Sequence, residues 1–160
     1  MTPDEREDRR FLEETVRLAI DSAREDGGPF GALVVRGGEV VARGTNRVTA
    51  TNDPTAHAEV VAIRRACEAL GTFQLDGCDV YASTEPCPMC LGALYWARPR
   101  RVVFASDREA AAHAGFDDRW IYEEVGRPPG ARRLDMLHVP IPAAGSEFEA
   151  WAANEDKRAY

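Results

Sequence analysis

The sequence predicts an α/β protein with helices on both faces of a central sheet. Apolar residues recur at helical spacing in some segments, whereas short β-branched runs bounded by glycine or charge indicate strands. These segments alternate along 160 residues, a length that favours one domain spanning residues 1–160. Because alternating helices and strands pack as layers, we expect a three-layer α-β-α sandwich.

The first elements are a helix and a hairpin. Residues 4–26 carry apolar side chains at helical spacing, and Gly27-Gly28-Pro29 ends the pattern. Two β-branched runs follow at residues 32–36 and 39–43. Gly37-Gly38 joins them, which is a strong signal for a two-residue hairpin turn. A polar loop leads to the next helix.

The remaining segments alternate in the same way. Pro88 suits the first turn of a helix, and Ser146 with Glu149 fits a capping box at the start of the last one. Three further predicted strands, given below, make five in total. The segments are helices at residues 54–70, 88–97, 109–114 and 146–158, and strands at residues 79–83, 101–105 and 134–139.

Composition and charge narrow the function classes. Hydrophobic residues make up 44% of the chain and charged residues 29%, as in ordinary globular domains. No apolar run approaches the roughly 20 residues of a membrane helix. The N-terminus lacks the apolar segment of a secretory signal. We therefore expect a cytoplasmic protein without a membrane partner. The net charge of −7 and the single lysine, Lys157, disfavour a nucleic-acid partner and favour a small molecule.

Two clusters carry residues suited to metal chemistry, each at a predicted helix start. Helix N-termini stabilise thiolates and neutral imidazole, so His57, Cys87 and Cys90 can hold Zn²⁺ and leave a fourth position for water. Glu59 could take and return a proton of that water. The clusters are His57-Ala58-Glu59 and Glu85-Pro86-Cys87-Pro88-Met89-Cys90.

Each motif has another interpretation when taken alone. A Cys-x-x-Cys pair can be redox-active, or it can be half of a structural zinc site, for which His113 or His138 would supply the fourth ligand. Cys67 is expected in the core and Cys78 in a loop. The two clusters in combination and in this order are much more specific for a catalytic centre.

This combination resembles the signature of the zinc-dependent nucleobase deaminases, His-x-Glu followed by Pro-Cys-x-x-Cys. From about Gly28 onward the chain is similar to the bacterial guanine deaminases. The resemblance implies hydrolysis of guanine to xanthine and ammonia on a cytidine deaminase-like fold with a five-stranded mixed sheet. The segments that carry it are Gly28–Ala32, Asn46, Asn52–Glu59, Glu85–Ala93, Tyr95–Pro99, Ala114–Asp118 and the tail ending in Tyr160.

The resemblance also implies substrate contacts and an assembly. It implies a homodimer in which residues from about 140 to 160 are exchanged, each tail closing the site of the partner. Ser83-Thr84 stands where the guanine deaminases carry Ser-Cys, a departure that concerns the substrate pocket and not the metal centre. The implied contacts are Phe30 packing on the base, Asn46 hydrogen-bonding it, Ala58 beside it, Asp118 at the guanine edge, Trp96 in the pocket wall and Tyr160 as a cap.

Other functions remain open at this point. The same centre would serve deamination of another base or nucleoside, such as cytosine, guanosine or an amino-triazine. A tRNA adenosine deaminase carries the same signature, but a basic face for RNA would be expected. A zinc-stabilised binding module is the non-enzymatic alternative, although a structural site closes its fourth position.

Overall fold

The computed structural model describes residues 2–160, apart from the side chain of Pro3. Residues 2–118 and 119–160 form two compact units. No helix within the described range is long and apolar enough to cross a membrane. The elements of the first unit, in chain order, are α1 (Pro3–Arg24), β1 (Gly31–Arg36), β2 (Glu39–Thr45), α2 (Val48–Thr51), α3 (Ala58–Leu70), β3 (Cys78–Thr84), α4 (Pro88–Ala97), β4 (Arg101–Ser106) and α5 (Arg108–His113).

Local sequence explains where these helices begin and end. At the start of α1, Thr2 Oγ1 accepts a hydrogen bond from the Glu5 N–H (3.2 Å), and the Glu5 carboxylate accepts one from the Thr2 N–H (2.7 Å). α3 ends at Gly71, whose φ of 63° is a conformation that suits glycine. The short α2 is not predicted from the sequence, because four residues cannot display helical periodicity.

The strands of this unit form one mixed sheet in the order β2-β1-β3-β4. β1 pairs antiparallel with β2 and β3, whereas β3 and β4 are parallel. The predicted hairpin joins β1 to β2, and Gly37 and Gly38 have φ values of 59° and 81°. Two consecutive positive φ angles are what a type I′ turn requires, which explains the glycine pair.

Helices cover both faces of the sheet. On one face, Ala32 and Val34 of β1 are buried in a core completed by α3 and α4. On the other face, Leu33 and Val35 pack against Phe11 of α1. Successive β1 residues thus point into alternate cores, as the two-residue period of a strand demands. The predicted α-β-α layering is present in residues 2–118.

The prediction of a five-stranded sheet is wrong, because residues 134–139 form no strand and the sheet has four. These residues belong to the second unit, where the described chain forms α6 (Arg119–Val125), a 3₁₀ turn (Pro129–Ala131) and α7 (Ser146–Ala153). A strand needs a neighbour for its backbone groups, and residues 119–160 as described contain no other strand. Pro140 then follows without an N–H.

Two smaller predictions are also wrong. Cys78 is the first residue of β3 and is fully buried, so it is not a loop thiol. Gly145 precedes the first turn of α7, and Ser146 Oγ donates to the Ala143 carbonyl (2.5 Å) instead of capping the helix.

Candidate metal centre and active site

His57, Cys87 and Cys90 come together at the starts of two helices. His57 is the N-cap of α3, Cys87 is the N-cap of α4, and Cys90 lies in the first turn of α4. The ligand atoms of the three residues lie within 4.8 Å of one another. His57 Nδ1 is 3.5 Å from the Sγ atom of each cysteine. The structure thus brings together the three residues that the sequence predicts to be metal ligands.

A tight turn before α3 delivers His57 to this position. Asp53 Oδ1 accepts from the Thr55 N–H (2.8 Å), and the Asp53 carbonyl accepts from the Ala56 N–H (3.1 Å). Asx turns of this kind compete with helix formation, so α3 begins at Ala58 and not at the predicted residue 54. His57 therefore keeps an extended backbone, with φ −68° and ψ 155°.

The first turn of α3 is also fixed by its contact with β2. A Cβ atom at Gly44 would overlap the Ala58 carbonyl oxygen and would lie 2.6 Å from the Ala62 nitrogen. Only glycine allows strand and helix to approach this closely. Gly44 therefore belongs to the support of the site, a role that the sequence does not reveal.

The three donor atoms fit a zinc ion. A tetrahedral ion with a Zn–S bond of about 2.3 Å and a Zn–N bond of about 2.05 Å holds nitrogen and sulfur about 3.6 Å apart. The measured separations between His57 Nδ1 and the two Sγ atoms are 3.5 Å. One imidazole and two thiolates are also the donor types that zinc prefers.

The three ligand residues differ in how strongly they hold a proton. The hydrogen bond from Cys90 is the largest influence on Cys87 and, with that from His57, lowers the pKa of Cys87 to about 4 despite burial. The hydrogen bond with Cys87 raises the pKa of both His57 and Cys90. Cys87 is therefore a thiolate at neutral pH, and a metal ion that binds here displaces a proton from Cys90.

Glu59 lies beside the three ligands. It is in the first turn of α3, only 8% of its surface is exposed, and its Oε2 accepts from Cys90 Sγ (3.5 Å). Burial raises the pKa of Glu59. A carboxyl group with a raised pKa is a stronger base than an ordinary glutamate, which favours a role in general acid–base chemistry.

Two of the predicted substrate contacts, Phe30 and Asn46, are joined to each other. The Asn46 N–H donates to the Phe30 carbonyl (3.2 Å), and Asn46 Oδ1 accepts from the Val48 N–H (3.2 Å). Both side chains are half-buried. Ala58, a third predicted contact, is buried between His57 and Glu59. Phe30 thus lies immediately before β1, Asn46 immediately after β2, and Ala58 at the start of α3.

The other three predicted contacts lie in different surroundings. Asp118 is half-buried, and its pKa is raised by burial and by the negative charge of Cys87. Trp96 is 63% exposed on α4. It follows Cys90 by six residues, which places it about 120° away around the helix. Tyr160 belongs to the second unit and is exposed.

Two residues that the sequence assigns no structural role support the site. Ser83 is buried, and its Oγ accepts from the Gly31 N–H (3.0 Å), which ties β3 to the start of β1. The Phe116 ring packs edge-on against Phe30, with ring centroids 5.0 Å apart. Phe116 stands two residues before Asp118 in a segment that carries the resemblance, and this adjacency was the available signal.

Known proteins agree with this geometry. The family model of the cytidine and deoxycytidylate deaminase zinc-binding region matches residues 5–106. The chain belongs to this deaminase family. Guanine deaminase from Bacillus subtilis (strain 168) is 50% identical over 151 residues, which are 94% of this chain and 97% of that protein. The X-ray structure of the Bacillus subtilis guanine deaminase superposes with a TM-score of 0.94 and 47% identity, covering 100% of this chain and 99% of that one.

A second activity occurs among the relatives of this deaminase. The tRNA-specific adenosine deaminase of Aquifex aeolicus is 41% identical over 142 residues, which are 86% of this chain and 91% of that protein. The predicted resemblance to the zinc-dependent deaminases is confirmed. Because the family includes more than one substrate, the base has to be argued separately.

Proposed function

We propose that this protein is a zinc-dependent deaminase that hydrolyses guanine to xanthine and ammonia. The observation that carries the proposal is the zinc-compatible geometry of His57, Cys87 and Cys90 beside the buried Glu59. The choice of guanine is supported by the similarity to Bacillus subtilis guanine deaminase, which continues well beyond residue 106, where the family model ends.

The chemistry follows from the position of Glu59. When bound, zinc supplies Lewis-acid activation of a water molecule. Glu59 accepts a proton from the attacking water and delivers it to the ring nitrogen next to the amine-bearing carbon, which makes that carbon more electrophilic. Glu59 then carries the second proton of the water to the amine. The C–N bond breaks, ammonia leaves, and the water oxygen remains on the ring as a carbonyl.

The proposed contacts hold the base in this orientation. Phe30 packs on the ring, Asn46 hydrogen-bonds the base, and Ala58 lies against it between His57 and Glu59. Asp118 meets the guanine edge. The half-buried Asn46 and Asp118 side chains support these roles, because polar groups at the rim of an apolar pocket fix orientation and specificity.

A free base suits the charge of the protein better than an RNA does. The net charge is −7, which repels a polyanion. Arg98, Arg100 and Arg101 are the densest group of arginines in the sequence. Two of them are paired with carboxylates: Arg100 donates to Asp79 (2.7 and 2.6 Å), and Arg101 donates to Asp8 (2.8 and 2.7 Å). Arginines held in this way are poorly placed to form the basic face that RNA binding needs.

The proposal includes a homodimer in which residues from about 140 to 160 are exchanged, so that Tyr160 caps the pocket of the partner, whereas Trp96 belongs to the pocket wall. Its support is the outer surface of α4, where Tyr95 is 76% exposed and Trp96 is 63% exposed. Aromatic side chains exposed in this way are enriched at protein interfaces.

Ammonia release by zinc-replete protein, measured over a panel of bases, nucleosides and a tRNA anticodon stem-loop, tests the proposal. We expect release from guanine. Glu59→Gln should lower it about 10²- to 10⁴-fold, whereas the matched control Glu68→Gln, on the exposed side of α3, should leave it unchanged. Release from adenosine in the stem-loop and not from guanine would establish the tRNA activity instead. If no compound in the panel releases ammonia although zinc occupancy is full, the result would favour a zinc-stabilised binding module.

A further inference from the structure

The turn that follows α5 is held by an aromatic contact. The ring of Phe116 meets the ring of Phe30 edge-on, with centroids 5.0 Å apart and planes at 86°. This is a favoured geometry for two aromatic rings. Phe30 packs in turn against the core beneath α3 and α4. Phe116 therefore rests on a side chain that the core keeps in place.

The other end of α5 is attached to the segment that carries Cys87. The Glu85 N–H donates to the Ser106 carbonyl (2.8 Å), and Glu85 Oε2 accepts from the Arg108 N–H (3.2 Å). Glu85 precedes Cys87 by two residues. The start of α5 is thus fixed relative to the metal ligands.

A Schellman motif at the end of α5 directs Phe116 towards Phe30. The Phe116 N–H donates to the Ala111 carbonyl (2.9 Å), and the Gly115 N–H donates to the Ala112 carbonyl (3.0 Å). Gly115 has a φ of 95°, which glycine adopts at little cost. The motif sets the direction in which the chain leaves the helix, and Phe116 is the first side chain after the turn.

We propose that Phe116 is a positioning residue that acts through Asp118. Its packing on Phe30 holds residues 115–118 closed beside the metal centre and sets the Asp118 carboxylate for the guanine edge. Asp118 follows Phe116 with one residue between them, so a displaced Phe116 displaces Asp118 as well. This inference rests on the proposed function, in which Asp118 contacts guanine.

Steady-state kinetics with guanine test the inference. Without the Phe116 ring the turn opens more often, and KM rises in inverse proportion to the fraction of molecules in which the turn is still closed. From the strength of edge-on aromatic pairs, we expect Phe116→Ala to raise KM about 3- to 10-fold. At saturation kcat should stay within about two-fold, because bound guanine selects the closed turn. Phe116→Tyr keeps the ring and should behave as wild type.

Phe73→Ala is the matched control. Phe73 is 43% exposed, against 46% for Phe116, and it follows the end of α3 that lies farthest from His57. KM should not change in this variant. An equal rise in KM for Phe73→Ala would mean that loss of any exposed ring perturbs the protein, and it would overturn the specific role of Phe116.

A double-mutant cycle separates positioning from direct contact with the base. If Phe116 acts through Asp118, Phe116→Ala adds no further rise in KM to Asp118→Asn. A full additional rise in the double variant would overturn the inference. If the wild type releases no ammonia from guanine, the proposed function is wrong. If the wild type is active but Phe116→Ala has an unaltered KM for guanine, only this inference is wrong.

Hydrogen exchange provides a readout that does not depend on activity. In the zinc-loaded protein, the amides of residues 115–118 should exchange faster in both Phe116→Ala and Phe30→Ala than in wild type, because either change removes the contact. Unchanged exchange in both variants would contradict the closed turn.

Discussion

Gly44→Ala tests the close packing that positions the first turn of α3. A Cβ at this site would overlap the Ala58 carbonyl oxygen and lie 2.6 Å from the Ala62 nitrogen. Since non-bonded contacts settle near about 3.5 Å, β2 and α3 would have to separate by roughly 1 Å. That shift exceeds the tolerance of about 0.2 Å for metal–ligand distances.

We expect Gly44→Ala to lower the free energy of unfolding by about 2–3 kcal/mol, as overpacking does. Zinc affinity should fall at least about tenfold, because His57 moves away from the cysteine pair. Urea unfolding of the metal-free protein gives the first quantity, and competition with a chelator gives the second. Gly130→Ala is the control: no atom lies within 4 Å of its Cβ position, so stability should change by less than about 0.5 kcal/mol. Wild-type stability and zinc affinity in Gly44→Ala would refute this packing argument.

Four further predictions concern the site and its support. Glu59→Gln should retain one zinc per chain and lose about 10²- to 10⁴-fold in guanine turnover, because the amide cannot accept a proton; substantial turnover at matched zinc content would refute that role. Cys90→Ala should lose zinc on dialysis, as measured by elemental analysis, and in wild type zinc affinity should fall with decreasing pH because protons compete for the ligands. Burial raises the pKa of Asp79, but the hydrogen bonds from Arg100 and Arg101 outweigh it and leave the pKa lowered. Asp79→Asn should therefore lower the free energy of unfolding by about 1–3 kcal/mol at neutral pH. In urea unfolding this difference should shrink below pH about 4, because a carboxylate with a lowered pKa contributes stability above its unfolded pKa of about 3.9 and loses it on acidification. A difference that stays constant from pH 7 to pH 3 would contradict the ion pairs.

The sequence predicts the centre well because its signals are local. Cys87 and Cys90 are three residues apart at a helix start marked by Pro88, so helix geometry alone brings the two sulfurs together. The hairpin at Gly37-Gly38 is equally local, since the turn demands positive φ at both positions. The approach of His57 to the two cysteines depends on how β1, β2 and β3 pair. The alternating pattern predicts that these strands exist, but it does not predict which strands are neighbours or in what register they pair.

Contacts between distant segments are harder to predict. The overlap that Gly44 avoids, the pairing of Phe116 with Phe30 and the bonds from Arg101 to Asp8 all join residues far apart in the sequence. Residues 134–139 illustrate the opposite error. Their apolar character is typical of a strand, but a strand also needs a backbone partner, and periodicity does not report one.

Zinc titration of the metal-free protein, with xanthine formation from guanine measured at each step, is the most direct test of the proposed deaminase. Turnover should rise in proportion to occupancy and level off at one zinc per chain, while Glu59→Gln binds the same zinc without turnover. Turnover that does not depend on zinc, or full occupancy without xanthine in the wild type, would contradict the assignment of His57, Cys87, Cys90 and Glu59 to a guanine-deaminating centre.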